Sequence, residues 1–141
     1  MTERAKIEAH WGYKPFVLKS GVVAEKGKLA CLDTTESGKV VAGKASTTLV
    51  PIGWFMESFT GDGVKTISVM LFDEIRLAWW DNDGGAPLAA SDILHACYIL
   101  DDHTVTATAT GHSLAGVVMG IDSAKGVLVY SALPLVLAPL A

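Results

Sequence analysis

The sequence predicts an all-β protein, a jelly-roll-like β-sandwich or barrel of about nine short strands with short terminal arms. Two observations indicate this class. Short apolar segments are separated by Gly-, Asp- and Ser-rich turns roughly every 8 to 12 residues, and almost no segment has helical periodicity. The chain of 141 residues and 14.8 kDa is long enough for one such domain with its own core.

The chain divides into three parts by composition: an N-terminal arm (1–14), a β domain (15–131) and an uncharged, apolar C-terminal tail (132–141). Within the domain, strands are expected wherever a short apolar segment lies between two turn signals. The predicted strand segments are 16–18, 22–24, 28–32, 39–42, 49–58, 66–79, 95–100, 105–110, 114–121 and 127–130.

Three segments carry more specific predictions. Pro51 and Gly53 predict a bend, because proline cannot donate to a strand ladder. Ser91 and Asp92 predict a single capped helical turn. In 105–110, alanine and threonine alternate after a valine, which predicts a half-exposed strand.

The strongest strand signal lies in residues 66–79, where apolar residues recur at every second position. Asp73 interrupts this pattern, which predicts a bulge or corner near Phe72 and Asp73. The residues expected to share one face are the odd-numbered ones: Ile67, Val69, Leu71, Ile75, Leu77 and Trp79.

The composition indicates apolar surface beyond one ordinary core. Hydrophobic residues make up 50% of the chain and charged residues 18%, against about 25% charged in typical domains, and the mean hydropathy is +0.39. No membrane is expected, because Pro134 and Pro139 interrupt the longest uncharged run and a spanning helix needs about 20 apolar residues. The first residues, 1–4, do not begin a signal-peptide pattern, so a cytosolically made, soluble chain with a partner surface is predicted.

Net charge and cysteine content exclude further classes. The net charge is −4 and no basic stripe is present, so nucleic acid is not an expected partner. Cys31 and Cys97 show neither a CxxC spacing nor a disulfide framework, and we predict two small buried apolar side chains.

The most suggestive catalytic string is 111–116, Gly-His-Ser-Leu-Ala-Gly, which resembles the nucleophile elbow of lipases. Its fifth position is Ala115 rather than glycine, no histidine follows Ser113, and the next segment has a strand pattern where the elbow requires a helix. A turn at Gly111 followed by a strand is therefore predicted, although a small hydrolase acting through Ser113 remains an alternative.

Three other polar segments are not expected to hold a metal or cofactor. Residues 101–103, Asp-Asp-His, are predicted to form a hairpin turn, because adjacent strand residues point to opposite faces. Residues 81–84, Asp-Asn-Asp-Gly, lack the glycine and glutamate spacing of a calcium loop. Lys39 follows a glycine as in a lipoyl hairpin, but its other neighbours differ from that pattern. We expect no catalytic residue, no cofactor and no metal.

Three stretches resemble the small head decoration, or cement, proteins of tailed bacteriophages. They read Cys-Tyr-Ile-Leu-Asp-Asp-His-Thr-Val at 97–105, Gly-Val-Val-Met-Gly-Ile-Asp at 116–122 and Gly-Val-Leu-Val at 126–129. The turns at 27–29 and 37–40 also fit, so the resemblance covers about residues 15–131. It carries no catalytic motif.

The resemblance implies a structural protein and not an enzyme. Such a protein would be made in the cytoplasm of a bacterial host and would bind the major capsid protein on the outer surface of the virion. It would act as a homodimer or homotrimer on a local symmetry axis and stabilise the shell against DNA pressure. The alternative is a small cytosolic β-barrel binding or carrier module, modified at Lys39.

Aromatic residues and the apolar tail are the expected contacts with partners, since tryptophan and tyrosine are favoured interface anchors. Trp79 and Trp80 are adjacent on a predicted strand, so one is expected in the core and the other outside. The candidate interface residues are Trp11, Tyr13, Trp54, Trp80, Leu135, Val136 and Leu137.

Overall fold

The computed structural model describes residues 12–72 and 76–131, with the backbone alone for Arg76, and confirms the all-β class. Among these residues one short helical element, a 3₁₀ turn at Ala90–Asp92, forms at the predicted helical turn. Ser91 and Asp92 lie inside this turn rather than before it; the N-cap residue is Ala89, whose amide donates to the Asp92 carboxylate at 2.8 Å. No helix among the described residues is long and apolar enough to cross a membrane. The strands are β1 (Tyr13–Val17), β2 (Val23–Ala24), β3 (Leu29–Asp33), β4 (Val40–Ala42), β5 (Leu49–Phe55), β6 (Phe59–Thr60), β7 (Thr66–Leu71), β8 (Arg76–Asn82), β9 (Ala96–Ile99), β10 (Thr104–Thr106), β11 (Leu114–Asp122) and β12 (Gly126–Ser131).

The strands form two main layers, which we call the sheet and the barrel. The sheet is antiparallel with the order β1-β7-β5-β3-β4, and a small hairpin, β2-β6, accompanies it. The barrel is closed in the order β10-β8-β12-β11-β9, and its one parallel pair is β10 with β8. Strand β1 begins at Tyr13, two residues ahead of the predicted boundary of the β domain.

Both faces of the sheet are buried, and many of the apolar residues of the chain lie on them. Leu29 and Cys31 share one face, as predicted, and pack in a core cluster with the barrel residues. Ala30 points the opposite way into a second cluster, which includes Phe55. Cys97 lies in the first cluster, so both cysteines are free, buried side chains as predicted. Burial raises the pKa of the Cys97 thiol to about 12, which keeps it protonated and unreactive.

The bend predicted at Pro51 and Gly53 is present as a register shift. Along β3, Ala30 pairs with Gly53 and Cys31 pairs with Pro51, so Ile52 is an extra residue in β5. Ile52 is buried, and its carbonyl accepts a hydrogen bond from the Phe72 amide at 2.8 Å. Through this hydrogen bond, the bulge in β5 lies next to Phe72, where the chain leaves the sheet after β7.

The predicted strand 66–79 is two strands in different layers. Its first half, β7, belongs to the sheet, and its second half, β8, belongs to the barrel. Phe72 lies between them, while Asp73 and Ile75 lie outside the described residues. The predicted face holds for Ile67 and Val69, which are buried, but it reverses beyond the corner. Where a strand is interrupted, the alternation can resume one residue out of phase. Such a shift exchanges the buried face of the strand with the exposed face.

Trp80 is therefore the buried tryptophan of the pair, and its prediction as an exposed contact was wrong. Trp80 is 7% exposed and lies in the barrel core, whereas Trp79 is 40% exposed. The physical reason is the register of β8, in which Trp80 is opposite the buried Val127 and Trp79 is opposite Leu128.

The prediction of a half-exposed strand over 105–110 was also wrong. Strand β10 has three residues, and all three are buried. The Thr106 hydroxyl donates to the Asp83 carboxylate at 2.9 Å and accepts a hydrogen bond from the Thr108 amide at 3.2 Å. The second of these bonds turns the backbone after Thr106, so the alternation that follows does not belong to a strand.

A buried carboxylate ties the end of β3 to the loop before β5. Asp33 is 6% exposed and accepts hydrogen bonds from the Thr35 amide and hydroxyl and from the Thr48 hydroxyl, at 3.0, 2.7 and 2.9 Å. Burial by itself would raise the pKa of this carboxyl, but these hydrogen bonds and the charge of Lys44 hold it below its usual value.

Replacing Asp33 by Asn should make stability less dependent on acid pH. Because the folded-state pKa is lowered, the charged form stabilises the fold at neutral pH, and this contribution disappears as pH falls below about 4. At pH 7 we expect the variant to lose about 1.5 to 3 kcal/mol of unfolding free energy. Urea unfolding at pH 7, 5 and 3 measures the difference, and an equal deficit at every pH would contradict the assignment.

Candidate interaction surface

The predicted interface residues have different positions in the fold. Trp11, Leu135, Val136 and Leu137 lie outside the described residues. Tyr13 is exposed on β1, at one edge of the sheet. Trp54 is half-buried and packs edge-on against Phe72, with ring centroids 5.9 Å apart. Trp54 therefore contributes to the core beside the corner, and of the described candidates Tyr13 is the one with a largely exposed side chain.

The barrel carries a larger apolar surface, which we call the outward barrel face. Direct cross-strand neighbours point to the same side of a sheet, and the pairing places two rows of uncharged residues on the outside. The first row is Leu77, Tyr130, Val117 and Ala96, and the second is Trp79, Leu128 and Gly120. Met119 is the extra residue at the β11 bulge beside Gly120 and is exposed.

The barrel strands carry apolar residues on their outward side as well as on the side that faces the barrel interior. On β12, Val127 and Val129 are buried, while Leu128 and Tyr130 between them are half-buried and point outward. Leu77 on β8 is 48% exposed. A half-solvated antiparallel strand normally has polar residues on its outer side. The outward barrel face is thus a surface suited to contact with another apolar surface.

Charged groups lie at one end of this face. Asp81 is exposed at the end of β8, and Asp122 closes the turn between β11 and β12. The Asp122 carboxylate accepts hydrogen bonds from the Ala124 and Lys125 amides, which lower its pKa. The Lys125 ammonium lies 5.4 Å from the centre of the Trp79 ring. The two rows carry no charged residue, and the charged groups border them at this one end, in the way that polar residues border protein interfaces.

The loop before β9 adds two exposed apolar side chains next to the face. Leu94 is 68% exposed and, with φ of 73°, is the one non-glycine residue with positive φ in the described part of the chain. Its amide donates to the Val118 carbonyl at 2.7 Å, and the Val118 amide donates to the His95 carbonyl at 2.9 Å. These bonds hold an unfavourable conformation that costs about 1 to 3 kcal/mol, with Ile93 exposed beside it.

Ser113 has a structural position and not that of a nucleophile. It is buried just before β11, where its hydroxyl donates to the Ser46 carbonyl at 2.6 Å and accepts from the Leu49 amide at 3.0 Å. Nδ1 of His112 donates instead to the Ile99 carbonyl at 2.8 Å. Gly111 has φ of 81°, which confirms the predicted turn at that residue. Ser113 thus connects the barrel to the sheet at the start of β5.

Replacing Ser113 by Ala is expected to lower the unfolding free energy by about 2 to 3 kcal/mol, because the Leu49 amide and the Ser46 carbonyl lose their buried partner. Denaturant unfolding measures this loss. The exposed Ser123 provides the control, and its change to Ala should alter stability by less than about 0.5 kcal/mol. A serine-reactive probe should leave Ser113 unlabelled, and labelling at Ser113 would contradict this structural role.

The Asp101, Asp102 and His103 side chains converge, contrary to the expectation that adjacent residues diverge. They lie in the turn before β10, where strand alternation does not apply, and their ligand atoms are within 4.8 Å of one another. His103 Nδ1 is 2.7 Å from the Asp102 carboxylate and 3.2 Å from that of Asp101. The Asp101 carboxylate also accepts the His103 amide, so the predicted hairpin turn is present.

The other two candidates are residues 81–84 and Lys39. In the first of these, Asn82 and Asp83 form hydrogen bonds that stabilise the loop after β8. The Asn82 side chain accepts from the Leu88 amide and donates to the Leu88 carbonyl, at 2.8 and 2.9 Å. Asp83 accepts the Gly85 amide at 2.9 Å. Lys39 is half-buried just before β4, whereas a lysine that carries a swinging prosthetic group needs an exposed position.

Sequence reasoning missed most of the outward barrel face, and one signal could have found it. Residues 127–130 are apolar at four consecutive positions, which in a strand means that both faces are apolar. The exposed Leu77 could not be found, because its side depends on the corner after β7.

Comparison with known proteins gives no match to a family model, to a curated protein or to a solved structure.

Proposed function

We propose that this protein is a capsid decoration protein that binds the outer surface of a tailed-phage head and stabilises its shell. It would be made in the bacterial cytoplasm and become part of the virion, with the major capsid protein and further copies of itself as partners. The resemblance of 97–105, 116–122 and 126–129 to head decoration proteins suggests this role. The outward barrel face is the structural observation that carries it.

The position of those stretches supports the proposal. They lie in β9, β10, β11 and β12, which are four of the five barrel strands, and they contain four of the eight residues named on the outward barrel face: Val117, Met119, Gly120 and Leu128. The stretches that resemble the family therefore contribute half of this surface, and β8 adds the exposed Leu77 and Trp79. A decoration protein acts through many modest contacts repeated over a shell, and an apolar face on a rigid barrel suits that mechanism.

Shell stability tests the proposed function. Tailed-phage heads prepared without the chain should bind it with saturation, and bound heads should withstand higher temperature than bare heads. The measurement is the release of packaged DNA on heating, followed with an intercalating dye. An unrelated soluble protein of similar size provides the control. Absence of binding, or equal release temperatures for bare and saturated heads, would refute the proposal.

A further inference from the structure

The turn between the 3₁₀ element and β9 holds an exposed leucine in a backbone conformation that leucine rarely adopts. Leu94 has φ of 73°, in the left-handed region that favours glycine and asparagine. Its amide donates to the Val118 carbonyl of β11, and the Val118 amide donates to the His95 carbonyl. The neighbouring strand therefore fixes this conformation through backbone atoms, whatever side chain the residue carries.

The fold gains little from the Leu94 side chain. This side chain is 68% exposed and belongs to neither core cluster. Glycine would adopt the same backbone without the steric cost of a Cβ atom. A large apolar side chain at a strained and exposed position is unfavourable for the isolated protein, which points to a use outside it.

Three exposed apolar side chains lie where this turn meets β11, and we call them the Leu94 projection: Ile93, Leu94 and Met119. Residues 89–96 contain no lysine or arginine, and their single acidic residue is Asp92. Its carboxylate accepts the Ala89 amide at 2.8 Å and is thus engaged within its own turn. The projection therefore presents hydrocarbon to its surroundings.

We infer that the Leu94 projection is the anchor by which the barrel binds an apolar recess on the major capsid protein. The inference rests on the proposed function and deepens it by naming the contact. The projection adjoins the outward barrel face, since Ala96 pairs with Val117 in the first row of that face. Because its strands belong to a closed barrel, the face is convex and makes only a small contact with a shell unless a side chain projects into it. Apolar anchors that fill a pocket dominate the energy of such contacts.

The turn is prepared for this role by its backbone. An anchor that is held in one conformation before binding loses less conformational freedom on contact. The two hydrogen bonds to Val118, at 2.7 and 2.9 Å, hold the chain on either side of the Leu94 side chain. A second copy is a less suitable partner, because each copy carries a net charge of −4 and a contact of three side chains is small.

Thermal unfolding of the free chain, together with its binding to heads that lack it, tests the inference. Co-sedimentation with the heads measures the binding. Leu94→Gly should raise the melting temperature by about 2 to 4 °C, because it relieves the strained backbone. It should also weaken head binding by about tenfold or more, because it removes the anchor. Leu94→Ala keeps the strain, so it should weaken binding equally without the gain in melting temperature.

Two further variants are controls. Leu94→Met keeps a large apolar side chain and should bind within about threefold of the wild type. Val64→Ala removes an exposed apolar side chain elsewhere, since Val64 is 78% exposed in the turn before β7. It should change neither head binding nor the melting temperature.

Head binding that is unchanged in both Leu94→Gly and Leu94→Ala would overturn the inference, as would a Leu94→Gly variant that melts no higher than the wild type. Sedimentation velocity of the free chain tests a second copy as the occupant. If the wild type self-associates and Leu94→Ala abolishes this, the projection contacts another copy and the inference fails. Wild-type protein that binds no heads refutes the proposed function itself, whereas failure of the inference alone leaves wild-type binding intact.

Discussion

Replacing Gly53 by Ala is expected to lower the unfolding free energy by more than about 4 kcal/mol, enough to unfold much of the population at 37 °C. Gly53 is buried in β5, between β3 and β7, and pairs with Ala30 and Leu71. An added Cβ would overlap the backbone carbonyl of Met70. Since that carbonyl belongs to a central strand, relief requires the separation of β5 from β7.

The matched control for this prediction is Gly84→Ala. Gly84 lies in the exposed loop after β8, and an added Cβ would meet no atom within 4 Å. Its substitution should change stability by less than about 0.5 kcal/mol. Circular dichroism during thermal unfolding compares the two variants. Equal melting temperatures would show that the close approach of β5 and β7 does not limit the fold.

Replacing Phe72 by Ala should cost about 3 to 5 kcal/mol of unfolding free energy. Phe72 is almost fully buried at the corner between the sheet and the barrel, and its ring packs against Trp54. The substitution leaves a cavity at the point where the two layers share one core cluster. The barrel and the sheet should therefore lose stability together, in a single transition.

Phe59→Ala serves as the comparison for Phe72→Ala. Phe59 is half-buried in β6 and packs at the margin of the second core cluster. Its loss should be less than half that of Phe72 when both are measured by urea unfolding. If Phe59→Ala is the more damaging change, the corner is not the main connection between the layers.

Local sequence patterns were sufficient for most strands and turns. The β11–β12 hairpin is set by two apolar segments around 122–126, where Asp122 accepts two turn amides and Gly126 has φ of 98°. The elbow-like string at Ser113 was correctly predicted as a turn and strand start, because the absence of a following histidine is visible in the sequence. The all-β class follows from such local signals.

Most of the candidate surface depended on cross-strand pairing, which local sequence patterns do not show. Periodicity assigned Trp79 to the apolar face with Ile67 and Val69, but the side on which it lies depends on how β8 pairs with β12 after the corner. The cluster of Asp101, Asp102 and His103 was likewise misjudged, because convergence in a turn obeys different geometry from alternation in a strand.

The sequence by itself determined that this chain is built of short strands, that its cysteines are buried and that it holds more apolar residues than one ordinary core requires. Composition, turn chemistry and period-two alternation are local properties, so they can be read without the fold. The tertiary structure decided where the surplus lies. It divides between two core clusters and the outward barrel face, because cross-strand register assigns each alternate residue to the inside or the outside.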